Sequence, residues 1–104
     1  MSALRIGFEA MEWQQVRDGV RQKAYCEGSR QLRLVEFGEF SDEVWWCDLG
    51  HIGYVLKGSL QIDFDGKVLS FAAGDGLFIP AGATTRHRGM NIEPGTVLLM
   101  VEDL

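Results

Sequence analysis

The sequence predicts an all-β fold, a single barrel or jelly roll, on three observations. Apolar runs of strand length follow one another from Val20 to Val101 at short, regular spacing, with turn residues between them. The chain carries 13 glycines against 2 prolines in 104 residues, which supplies many tight turns. No segment after Val20 reads as a helix. A chain of this length builds one domain with a real core and is too short for two, and no repeat or Pro/Ser-rich linker divides it.

Residues 1–19 are expected to form an arm on the barrel, because Phe8, Met11, Trp13 and Val16 are spaced between the helical and strand periods. A short helix, an irregular arm or an edge strand all fit that spacing. Residues 20–104 then hold the barrel. Val20 to Cys26 is a first strand ended by Glu27-Gly28-Ser29, and Gln31 to Phe37 alternates, with Leu32 and Leu34 on one face and Val35 and Phe37 on the other. Glu43 to Cys47 reads as a short aromatic strand, His51 to Lys57 follows one turn later, and Ser59 to Phe64 places Leu60, Ile62 and Phe64 on one face. Asp65-Gly66 suits the positive φ angles of a two-residue hairpin turn, so Lys67 to Phe71 folds back on the preceding strand. Gly76 to Ile79, closed by Pro80, then Thr84 to Arg88 and Thr96 to Val101, bring the count to about eight to ten strands.

Composition narrows the function. A formal charge of −5 opposes general binding to nucleic acid or to an anionic membrane, both of which depend on a basic surface. Small molecules and protein partners remain. No apolar run is long enough to cross a bilayer as a helix, and Met1-Ser2-Ala3-Leu4-Arg5 lacks the apolar core of a secretory signal, so a cytoplasmic protein is expected. In that compartment Cys26 and Cys47 stay reduced.

The residues able to do chemistry gather in two glycine-punctuated stretches, Cys47 to Gly58 and Gly74 to Gly82, the second followed by His87. Four residues apart on a straight strand, Cys47 and His51 would be separated by about 13 Å at ~3.3 Å per residue. A three-residue hairpin loop over Asp48-Leu49-Gly50 would instead set them opposite each other, with Cβ atoms about 4.5–5.5 Å apart. Alternation puts Glu43, Trp45 and Cys47 on one face of the first strand, and His51, Gly53 and Val55 on that face of the second. With His87, a thiolate and two imidazoles make a three-ligand set that suits zinc or iron better than magnesium or calcium.

Gly58 with the apolar Tyr54-Val55-Leu56 before it, and Gly74, Pro80 and Gly82 in register after it, resemble the two glycine-proline motifs of the cupins. The resemblance runs from about Val20 to the C-terminus. It implies a cupin-type jelly-roll barrel with a site in its interior. Counting back from Gly58, the family's two first-motif histidines fall on Trp45 and Cys47, its glutamate on His51, and its second-motif histidine on Thr85. The ligand set is therefore rewritten here as Cys47, His51 and His87, the last on the same strand face as Thr85.

The expectation is a small cupin holding a divalent metal, zinc or iron, through Cys47, His51 and His87 and acting on a small polar organic molecule. Glu43 would carry protons, and Trp45, Thr85 and Val55 would line the pocket. The alternatives are a non-enzymatic cupin that senses a metabolite in an aromatic-lined pocket, or a structural homodimer module. A homodimer is expected from the apolar strands and from an outward-facing tryptophan.

Overall fold

Nine strands are described in residues 4–104 of the computed structural model. In chain order, Gln14–Arg17 is β1, Val20–Glu27 β2, Arg30–Phe37 β3, His51–Lys57 β4, Ser59–Asp63 β5, Val68–Ala72 β6, Gly76–Ile79 β7, Arg88–Met90 β8 and Thr96–Asp103 β9. Single 3-10 turns occupy Phe8–Ala10 and Ala83–Thr85. The strands make two antiparallel sheets, one of six in the order β1-β2-β3-β9-β4-β7 and one of three in the order β6-β5-β8. This is a jelly-roll arrangement in which the last strand, β9, is inserted between β3 and β4.

Local sequence explains most boundaries. Asp65 and Gly66 both have positive φ, 58° and 107°, and Phe64 N–H donates to Lys67 O across them at 2.7 Å, so β5 and β6 pair in the expected hairpin. Gly58, at φ 83°, makes the corner between β4 and β5 where the chain leaves one sheet for the other. Alternation does the rest. On β9, Thr96, Leu98, Met100 and Glu102 are buried while Val97, Leu99 and Val101 are not, and Val35, Phe37, Val55, Leu60, Ile62, Leu77 and Ile79 meet them between the sheets. Each such apolar side chain contributes about 1.5–3 kcal/mol on burial.

Two expected strands are absent, for one physical reason. Glu43 to Cys47 runs beside β8 without forming a ladder, and a single bridge joins Cys47 to His87. Side chains take the bonds a neighbouring strand would use: Glu43 Oε1 accepts from Gly89 N–H, and Asp42 accepts from Asn91 and Ile92 N–H. Thr84 to Arg88 likewise is not a strand at its start. Thr85 Oγ1 donates back to Pro80 O at 2.5 Å, winding Ala83–Thr85 into a turn, and extension resumes at Arg88. The edge strand β1 pairs with β2, and Lys23 Nζ holds Phe8 O at 2.9 Å.

Candidate metal centre

Three elements deliver the chemical side chains to one point. Cys47 and His87 exchange both backbone hydrogen bonds, each at 2.8 Å, and a pair joined this way projects its side chains to the same side. His51 arrives from the start of β4, where Ile79 of β7 is its backbone partner. Cys47 is thus paired with His87 and not with His51, and the expected hairpin over Asp48-Leu49-Gly50 does not form. The convergence is nonetheless close: ligand atoms of Cys47, His51 and His87 all lie within 4.8 Å of one another. Cys47 Sγ is 3.7 Å from His51 Nε2, and the two imidazoles meet edge to face with centroids 4.9 Å apart.

The outer bonds of both histidines set their tautomers. His51 Nδ1 lies 2.5 Å from Glu102 Oε2. Glu102 also accepts from Arg33 Nε and Nη2 and from Gln31 Nε2, so its carboxylate receives four donors in a site only 8% exposed. Burial opposes its charge, but the hydrogen bonds from His51 and Arg33 and the charge of Arg33 outweigh that and hold its pKa at about 2. An ionised carboxylate only accepts, so His51 Nδ1 carries a proton, and in the neutral ring Nε2 presents its lone pair toward Cys47. His87 repeats the arrangement: its Nδ1 donates to Thr85 O at 2.9 Å, which in the neutral ring leaves Nε2 bare.

Tetrahedral zinc at ordinary bond lengths would separate a sulfur and a nitrogen ligand by about 3.6 Å, close to the Cys47–His51 spacing. The donor set and its outer bonds fit a borderline-soft divalent ion. The surrounding field does too. Burial pushes the Cys47 thiol up, the backbone N–H of Leu49 opposes this, and the carboxylates of Glu43, Asp48 and Glu102 push it further up, so the cluster is short of positive charge.

The cluster borders a cavity of about 160 Å³ between the two sheets. His51, His87, Arg33, Glu43 and Arg17 are its polar lining, against walls that include Val35, Leu60, Leu98 and Met100. Glu43 Oε1 is held at 2.5 Å by Gly89 N–H, while its other oxygen makes no bond among the described residues.

A family model described as a cupin domain matches residues 48–101, just over half of the chain. The chain belongs to the cupin family. Solved structures match this cupin over nearly its whole length. KdgF from Halomonas sp. aligns at a TM-score of 0.79 and 21% identity, covering 99% of this chain and 94% of its own. An RmlC-like cupin from Shewanella frigidimarina aligns at 0.78 and 18%, covering 98% and 91%. The polyketide cyclase RemF from Streptomyces resistomycificus aligns at 0.77 and 20%, covering 98% and 80%. At these identities the likeness establishes the fold. No curated protein sequence matches the chain.

Inside the cupin frame, the expected pocket wall is corrected at three positions. Trp45 is 83% exposed and points away from the cavity, because the segment bearing it is not a strand and does not alternate. Thr85 spends its hydroxyl on the Pro80 carbonyl and lies outside the lining. Val55 is fully buried in the core but does not border the cavity. Phe37 is the one Phe, Tyr or Trp among the lining residues, so an aromatic-lined pocket is not what the barrel holds. Trp46 packs under the guanidinium groups of Arg86 and Arg88, 4.7 and 4.4 Å from its ring centroid. Both cysteines are free thiols.

Sequence reading missed Arg33 and Glu102. The signal for Glu102 was the alternation of β9, in which Leu98 and Met100 face inward and the next inward position is 102, one residue past the point where the apolar run ends.

Proposed function

We propose that this chain is a small cupin that binds a divalent metal ion, zinc or iron, through Cys47, His51 and His87, and acts on a small polar organic molecule in the adjoining cavity. One observation carries the reading: both histidines have their Nδ1 hydrogens committed to an acceptor, so both Nε2 lone pairs are available beside the Cys47 sulfur. The His51–Glu102–Arg33 chain is the outer support that metal-bound histidines characteristically have. When bound, the ion supplies Lewis-acid polarisation of a substrate oxygen. Glu43, with one oxygen pinned and the other free at the cavity, is the proton carrier. That one fold neighbour is a polyketide cyclase supports the reading only as analogy, since fold alone does not license a reaction.

The test is the metal content of protein purified from the cytoplasm, where we place it, without a metal-affinity tag. Near-stoichiometric metal that is lost in Cys47→Ala and His51→Ala is the expected result. Cobalt substitution should add a thiolate charge-transfer band that disappears in Cys47→Ala. Folded protein that neither contains nor takes up zinc, iron or cobalt overturns the proposal.

We also infer a homodimer through the outer face of the six-stranded sheet. Phe78, Ile52, Val101 and Leu32 are successive cross-strand neighbours over β7, β4, β9 and β3, and Tyr54, Leu99 and Leu34 make a second row beside them. Ile52, Tyr54, Leu56 and Phe78 are exposed, Phe78 by 77%. A continuous apolar sheet face of this kind suits self-complementary pairing of two copies.

A further inference from the structure

We propose that the cavity recognises a small carboxylate and that Arg17, on the edge strand β1, is the residue that receives it. The inference rests on the cavity being the ligand site, and it names the class of molecule that enters.

The arginines of the molecule divide in a telling way. Arg21, Arg30, Arg33, Arg86 and Arg88 each have a carboxylate oxygen at 3.7 Å or less, from Glu36, Asp103, Glu102, Asp65 and Asp63 respectively. Arg5 and Arg17 have none among the described residues, but Arg5 is exposed, whereas Arg17 is half-buried and lines the cavity. Its one side-chain hydrogen bond among the described residues runs from Nη2 to the Ser41 carbonyl at 2.6 Å, which anchors the guanidinium and leaves most of its five donors unused there. A partly desolvated, anchored guanidinium with a carbonyl as its only partner is poised for a planar anion, because its fork matches a carboxylate in bidentate geometry. Arg33 cannot take that role. Its Nε and Nη2 are committed to Glu102 and its Nη1 to Gln22.

Charge and size narrow the ligand further. Arg17 and Arg33 are balanced by Glu43 and Glu102, all at or bordering the cavity. A divalent ion with a Cys47 thiolate then leaves one positive charge, which one carboxylate neutralises. A phosphoryl group, carrying close to two negative charges at neutral pH, would overshoot it. The cavity of about 160 Å³ is near the ~150 Å³ that accommodates benzene, so the molecule has roughly three to six carbons. Val35, Leu60 and Leu98 provide an apolar wall for its carbon frame.

The experiment compares butyrate and hexanoate with their uncharged primary amides as ligands in thermal unfolding, on zinc-loaded and on metal-free protein. The acids should raise the midpoint of the native protein and the amides should not. Arg17→Gln keeps an N–H donor for Ser41 O but removes the charge, and should weaken acid binding roughly 10- to 100-fold. Arg17→Lys, which keeps the charge without the fork, should bind with intermediate affinity and carries the test if the glutamine variant fails to fold. Acids and amides acting alike, including no effect from either, overturn the proposal, as does undiminished acid binding in Arg17→Gln or Arg17→Lys. Metal content is measured on the same samples. An acid effect that depends on Arg17 in a protein that binds no metal would sink the metal reading and leave this one standing.

Discussion

Glu102 is the residue on which the site's electrostatics turn, since it orients His51, neutralises Arg33 and is almost wholly buried. Loss of its charge weakens the hydrogen bond that keeps His51 Nδ1 protonated and lowers the basicity of Nε2. Glu102→Gln should therefore weaken zinc binding about 10- to 100-fold, measured by competition with a chromophoric chelator. The same carboxylate gives the fold an acid limit. Its folded pKa of about 2 lies below the ordinary 4.5, so its stabilisation is complete above about pH 4.5 and is lost as pH falls toward 2. The denaturation midpoint in urea should decline over that window, and Glu102→Gln should flatten the decline; an unchanged slope would show that other carboxylates govern it. Cys47, His51 and His87 stood out in the sequence by residue type alone. Glu102 and Arg33 did not, because acids and arginines are common and only their burial against each other distinguishes them.

At the scale of elements, the turns were the most legible parts and the site-bearing loops the least. Asp65-Gly66 needs nothing beyond its own φ angles to form a hairpin, so sequence and structure agree there. Gly58 combines the same backbone requirement with a tertiary one: an added Cβ would lie 2.7 Å from Thr96 Cα on β9, as well as forcing a side chain into positive φ. Gly58→Ala should destabilise the barrel by about 2–4 kcal/mol, read from equilibrium unfolding, whereas Gly66→Ala, with open space around it, should lose only about 1 kcal/mol from the turn geometry. The stretch from Glu43 to Cys47 has strand composition yet forms no ladder. What overrides the composition is non-local: Glu43 meets the Gly89 N–H of β8, and Asp42 the N–H groups of Asn91 and Ile92 just after it, all more than forty residues later in the chain.

Across the whole molecule, the two faces of the six-stranded sheet have different tasks. The inner face carries Arg33 and His51 to the cavity with Glu102 behind them, while the outer face shows rows of apolar side chains. If that outer face joins two copies, Phe78→Glu and Ile52→Glu should convert a dimer to a monomer in sedimentation equilibrium without changing metal content; a native protein that sediments as a monomer overturns the dimer. No helix among the described residues is long and apolar enough to cross a membrane. The sequence by itself determined the all-β barrel, the Asp65-Gly66 hairpin and the cupin frame, because these follow from alternation and from glycine and proline geometry, which are local. The tertiary structure decided the site. It paired Cys47 with His87, brought Glu102 and Arg33 in behind His51, turned Trp45 outward and left Arg17 lining the cavity with no counter-ion among the described residues. Those outcomes depend on which strands lie side by side and on which charges are desolvated together, and neither is encoded in the spacing of residues along one strand.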